Sequence, residues 1–163
     1  MTTYTGTLDA GQQLNVGDTL TSPSNTYQLV LQKDGNLVIN KLSDHSVIWK
    51  TGFAANQISP KYAIIQTDGD FVLYDNNNKS QWSALTRSVQ DSGGVLYRDL
   101  YIGVTLSLRD DGVLVIQHSS PNADGFEELW NNLNQLLVPY DSLDKITAAD
   151  TKPSYPYLSG RGK

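Results

Sequence analysis

Leu29-Val-Leu-Gln32-Lys-Asp34-Gly35-Asn36-Leu37-Val38-Ile39-Asn40, followed by Val47-Ile48-Trp49, recurs twice more along this 163-residue chain. The second copy reads Ala63-Ile-Ile-Gln66-Thr-Asp68-Gly69-Asp70-Phe71-Val72-Leu73-Tyr74 and leads to Ser80-Gln81-Trp82. The third reads Leu106-Ser-Leu-Arg109-Asp-Asp111-Gly112-Val113-Leu114-Val115-Ile116-Gln117 and leads to Glu128-Leu129-Trp130. A unit this short cannot bury its own apolar face, so the copies must share one core. In each, apolar residues alternate with period two on both sides of an Asp-Gly pair, as Leu29, Leu31, Leu37 and Ile39 do in the first. That is the pattern of strand, tight turn, strand, with Gly accepting the positive φ that such turns require. Gly, Asn and Ser clusters such as Ser22 to Asn25 and Asp75 to Asn78 add further turns at hairpin spacing. The expected class is all-β, with many short strands.

Outward from the repeats, composition narrows the partners. Hydrophobic residues make up 39% and charged residues 18%, an ordinary globular balance. Asp and Glu number 17 against 12 Lys and Arg, a net charge of -5 with no basic run, which disfavours nucleic acid and anionic lipid. No apolar stretch approaches the roughly 20 residues that cross a bilayer, so membrane insertion is not expected. The absence of cysteine removes disulfides, thiolate metal sites and Cys nucleophiles together. The start, Met1-Thr-Thr-Tyr-Thr-Gly-Thr-Leu8, has neither a basic nor an apolar leader region. A cytoplasmic location is the simplest expectation, or a secreted one if this is a mature form.

Strand geometry then selects a face. Residues two apart point the same way, so Gln32, Asp34, Asn36, Val38 and Asn40 are expected to line the outside of one sheet, opposite the core row. Gln66, Asp68, Asp70, Val72 and Tyr74 should do so on another. Amides, carboxylates, one small apolar side chain and a ring suit a polyhydroxylated ligand with an apolar C–H face.

Gln-x-Asp-x-Asn-x-Val-x-Tyr, which both rows approach, resembles the site motif of the bulb-type, or monocot mannose-binding, lectins. Tyr27-Gln-Leu-Val-Leu31, the context of Trp49, and Leu14-Asn-Val-Gly-Asp-Thr-Leu-Thr-Ser22 are similar to the same family, over about residues 8 to 133. The resemblance implies a β-prism II fold: three four-stranded antiparallel sheets with pseudo-threefold symmetry and one potential mannose site on each. It implies a prism domain over residues 1–138, with repeats at about 12–50, 51–85 and 90–133. In that family the Asp and Asn contact the 2-hydroxyl of the sugar, the Gln the 3-hydroxyl and the Tyr the 4-hydroxyl. The Val packs on ring carbons, and neither metal nor cofactor takes part. Asn40 replaces the Tyr in the first repeat and Asp70 replaces the Asn in the second. Arg109, Val113 and Gln117 replace three motif residues in the third, which is expected to be degenerate. The expected function is a lectin for mannose-containing glycans, acting as a homo-oligomer (a dimer) because shallow sites gain from multivalency. The alternative is an interaction or structural module on a prism whose sugar sites have decayed.

Trp49, Trp82 and Trp130 occur once per repeat and are expected to fill a common interior rather than serve as stacking platforms. An enzyme is not expected. His45 and His118 fall in expected loops with no Ser or Cys nucleophile elbow around either, and Asp34 and Asp68 belong on different sheets, too separated for a glycosidase pair. Asn122 to Glu128 lacks the early ligands of a calcium loop and reads as an ordinary turn, and Ser119 to Phe126 reads as a loop insertion. Asn78-Lys-Ser80 is a glycosylation sequon, relevant only on a secretory route. Leu129, Leu133, Leu136 and Leu137 suit a helical face, whereas the resemblance implies a final strand there. The tail, 139–163, reads as irregular.

Overall fold

The computed structural model describes residues 1–84, 102–119, 126–133 and 135–136. The tail assigned to 139–163, and residues 120–125 of the expected loop and turn, lie outside the described residues; the ends of those segments are strand and not loop, Ser119 in the twelfth strand and Phe126 to Glu128 in the thirteenth. In chain order the strands are β1 (Thr3–Thr5), β2 (Thr7–Asp9), β3 (Gln13–Asn15), β4 (Thr19–Thr21), β5 (Tyr27–Leu31), β6 (Leu37–Lys41) and β7 (Val47–Lys50). They continue as β8 (Pro60–Ile65), β9 (Phe71–Asp75), β10 (Ser80–Ser83), β11 (Ile102–Leu108), β12 (Leu114–Ser119), β13 (Phe126–Asn131) and β14 (Gln135–Leu136). No helix occurs among the described residues.

Each repeat supplies three consecutive antiparallel strands to its own sheet: β5-β6-β7, β8-β9-β10 and β11-β12-β13. The fourth strand of every sheet comes from one short segment at the start of the chain. There β4 pairs with β5, β3 with β8 and β2 with β11, aligning Leu20 with Leu29, Leu14 with Ala63 and Leu8 with Leu106. Leu8, Leu14 and Leu20 stand six residues apart, and all three are fully buried. The segment therefore turns a corner of the prism every six residues and sends one leucine inward on each side. Two sheets carry an additional short strand: β1, parallel to β4, and β14, antiparallel to β13. The result is the expected β-prism II fold, with sheets of five, four and five strands.

The alternating rows of the repeats meet inside, where Leu29, Leu31, Leu37, Ile39, Ile65, Phe71, Leu73, Leu106, Leu114 and Ile116 are all at 0% exposure. At the centre stand the three indoles. Trp49, Trp82 and Trp130 form a closed triangle with centroid separations of 6.1, 6.3 and 6.0 Å, each pair edge to face. Phe71 meets Trp82 in the same manner at 6.0 Å. Edge-to-face packing sets the positive rim of one ring on the negative face of the next. Three flat side chains thus fill a three-walled interior without stacking.

One expectation is corrected here, and one open alternative is decided. His118 lies in β12 and not in a loop, because β12 runs past Gln117 to pair with Glu127 and Phe126 of β13. Of the two readings after Leu129, the described residues follow the final strand and not the helix: Trp130 pairs with Leu136 and Asn131 with Gln135. His45 does sit in a loop, at φ 60 between Asp44 and Ser46.

Candidate functional site

The three Asp-Gly pairs build the same hairpin connection. In the first, the Gly35 N–H donates to Gln32 O at 3.0 Å and the Gln32 N–H to Asn36 O at 2.9 Å. The matching pairs are Gly69 to Gln66 with Gln66 to Asp70, and Gly112 to Arg109 with Arg109 to Val113. Each is a tight turn whose glycine takes the left-handed conformation, at φ 93, 92 and 83 respectively. In every copy the Asp closes its own loop. Oδ1 of Asp34 accepts the Asn36 N–H at 2.9 Å, Oδ1 of Asp68 the Asp70 N–H at 2.9 Å, and Oδ1 of Asp111 the Val113 N–H at 3.0 Å. The loop thereby fixes the carboxylate and leaves Oδ2 to face outward.

What happens at Oδ2 separates the sheets. In the third, the Arg109 guanidinium donates to Oδ2 of Asp111 at 2.5 Å and reaches Oε1 of Glu128 at 3.3 Å. Burial alone would raise the Asp111 pKa, but the Val113 N–H and the adjacent Arg109 outweigh it and hold the carboxyl below its ordinary value. The acceptor is therefore occupied by the chain itself. In the first and second sheets no described residue engages Oδ2 of Asp34 or Asp68.

The second sheet assembles the fuller set. The Tyr74 hydroxyl donates to Oε1 of Gln66 at 3.2 Å, with Nε2 of the same amide 3.4 Å from the hydroxyl oxygen. Gln66, Asp68 and Tyr74 are all half-buried, and Val72 lies on the same outer row at 4% exposure. An amide and a phenol thus meet on a row that also carries a carboxylate, Asp68, and a small apolar side chain, Val72. In the first sheet Gln32 and Asn40 are half-buried, Asp34 is exposed and Val38 forms the floor at 2%, but no ring stands at position 40.

Asn36 and Asp70 depart from the expected strip. Counting by twos placed them outward, yet they are 3% and 2% exposed. Both side chains are instead engaged by the segment that follows the tryptophan of their own repeat. Oδ1 of Asn36 accepts from the Thr51 hydroxyl and from the N–H groups of Gly52 and Phe53 at 3.1, 2.8 and 2.7 Å, and Nδ2 donates to Phe53 O at 3.0 Å. Both carboxylate oxygens of Asp70 accept from the Ser83 hydroxyl, at 2.7 and 2.6 Å. These two side chains tie the hairpin to the segment that follows the tryptophan.

No protein-family model matches the chain. Over 69 residues it is 38% identical to a mannose-specific lectin of the orchid Dendrobium findlayanum, a stretch that covers 42% of this chain and 38% of that protein. The match thus spans well under half of the orchid lectin's length. A lectin from Marasmius oreades superposes with a TM-score of 0.63 at 20% identity, over 84% of this chain and 98% of that one, a likeness of fold. The mannose-specific agglutinin of snowdrop (Galanthus nivalis), solved with methyl-α-D-mannoside, superposes with a TM-score of 0.56 at 27% identity, over 74% and 95%. Lectins bind carbohydrate without transforming it, which agrees with the expectation that this is no enzyme. The chain is thus similar to mannose-specific lectins of monocot plants, and it shares the β-prism II fold of the snowdrop agglutinin.

Proposed function

We propose that this chain is a lectin for mannose and mannosides, with its principal site on the second sheet, a lesser site on the first and none on the third. The observation that carries this reading is the convergence of Gln66 and the Tyr74 hydroxyl at 3.2 Å beside a loop-fixed Asp68. A pyranose hydroxyl both donates and accepts. The Asp68 carboxylate accepts its hydrogen bond, the Gln66 amide offers a donor and an acceptor, and Val72 faces a C–H patch. The groups are already positioned, so little side-chain entropy is lost on binding. Asn36 and Asp70 enter as supports that hold the turn, in place of the direct contact that the family motif implies. A homodimer would present two such faces and raise the avidity of a shallow site.

Titration of methyl α-mannoside into the purified chain, with and without a chelator, tests the reading. Asp68→Asn keeps an oxygen for the Asp70 N–H and removes the charged acceptor. It is expected to weaken binding by roughly 1.5 to 3 kcal/mol, tenfold or more. Asp34→Asn should have a smaller effect, Asp111→Asn none, and the chelator none. If Asp111→Asn were the most damaging, the ranking of the sheets would fall. If a glycan array returned no mannoside at all, the interaction-module alternative would replace this reading.

A further inference from the structure

We infer that the second sheet carries a second subsite, built on Tyr62 and Lys61 beside Tyr74, that receives the next sugar unit of an oligosaccharide. The inference rests on the reading of Gln66, Asp68 and Tyr74 as the primary site. Tyr62 is the register partner of Tyr74 across β8 and β9, and their rings lie 5.5 Å apart at 57°. The Tyr74 hydroxyl reaches the opposite way, toward Gln66. The ring of Tyr74 therefore spans from the primary site to Tyr62. Tyr62, Ile64 and Gln66 share one outer row and are all half-buried. At ~3.3 Å per residue that row is roughly 13 Å long, a track longer than one pyranose needs.

A cross-strand tyrosine pair could serve only to stabilise the sheet. Lys61 argues for more. Its ammonium is held by Oδ1 of Asn78 at 2.8 Å and stands 5.8 Å from the centroid of Tyr62. Asn78 is itself fixed at the tip of the β9–β10 turn, at φ 60. A positioned cation with further N–H donors thus borders an aromatic platform. A ring that takes a C–H face, flanked by donors for hydroxyls, is what a second sugar requires. The other sheets lack it: the equivalent register pairs are Gln28 with Asn40 and Thr105 with Gln117. The subsite would make the second sheet selective for length as well as for the terminal sugar.

The experiment compares methyl α-mannoside with methyl glycosides of α-linked mannobioses on the full chain and on Tyr62→Gln and Tyr62→Phe. The full chain should bind at least one disaccharide roughly two- to tenfold more tightly than the monosaccharide. Tyr62→Gln, which gives the second sheet the residue found in the first, should bring that ratio close to one. Tyr62→Phe should retain it, which separates loss of the ring from any disturbance of the sheet. A monosaccharide bound as well as every disaccharide would overturn the subsite alone. A preference that survived in Tyr62→Gln would overturn it too. Binding of neither sugar by the full chain would remove the primary-site reading, and the subsite with it.

Discussion

The rings of Trp49 and Trp130 meet edge to face, with centroids 6.3 Å apart and planes at 77°, although β7 and β13 belong to different sheets. Trp130 is 1% exposed, whereas Trp49 and Trp82 keep part of their surface in solvent. Trp130→Ala should therefore cost the most of the three, about 3 to 5 kcal/mol, a large share of the ~5 to 15 available to a domain of this kind. Urea unfolding followed by far-ultraviolet circular dichroism measures it. Native emission should be blue-shifted, and added sugar should leave it nearly unchanged. A Trp130→Ala protein as stable as the parent would mean that the triangle is not the keystone of the interior.

Gly35 and Gly11 provide a matched pair, since both adopt φ 93. A Cβ on Gly11 would meet nothing within 4 Å, while one on Gly35 would overlap Cγ1 of Ile58 and come within 2.8 Å of its Cδ1. Gly11→Ala should cost only the left-handed backbone penalty, about 1 to 2 kcal/mol. Gly35→Ala should cost clearly more, and Ile58→Ala in the same chain should bring the two into line. Equal melting temperatures for the two single variants would contradict the packing of this turn against Ile58.

Asp18 supplies a pH dependence. Burial alone would favour its neutral form, but N–H donors from Thr2 at 2.7 Å and Asn15 at 2.9 Å, with the Asn15 amide at 3.1 Å, outweigh that. The folded pKa is thus lowered from 3.8. A carboxyl that is more acidic folded than unfolded stabilises the protein fully above the unfolded value and loses that contribution as pH falls through the folded one. Unfolding free energy should fall as pH drops below about 4, and Asp18→Asn should make the curve flatter there. Identical acid limbs in the two proteins would show that Asp18 is not among the groups responsible.

Leu14→Ala tests the segment that closes the sheets. Leu14 is fully buried and faces the core from a strand of three residues. The substitution should cost about 2 to 5 kcal/mol, as for an interior leucine of a long strand. Leu8→Ala and Leu20→Ala should fall in the same range. A near-neutral Leu14→Ala would show that β3 is only laid against the second sheet.

The repeats and the tryptophan triangle were legible because period-two alternation and one Trp per copy survive any change of loop length. The closing strands were not. Leu8, Leu14 and Leu20 recur every six residues, a spacing that matches neither a strand nor a helix, and three-residue strands are too short to show alternation of their own. The strip of site residues was legible where the chain is extended, at Val38, Asn40, Val72 and Tyr74. It did not foresee the burial of Asn36 and Asp70, because the sequence does not show that Thr51 to Phe53 and Ser83 bond them. Nor did the motif announce Tyr62, which lies outside it and matters only through its partner across the sheet. The block at Asp111 could be suspected from Arg109, but the sequence does not say that the guanidinium turns back onto it.

Because β2 must find β11, with Leu8 beside Leu106, the third wall cannot close until the 98 residues (106−8) from one leucine to the other have been made. A ribosome releasing this chain exposes a leucine-bearing strand early and its partner late. Folding should therefore be slow, concerted and governed by the length of chain between them, unlike that of stacked repeats that add one at a time. Threefold symmetry here describes the finished object and not the order of its assembly.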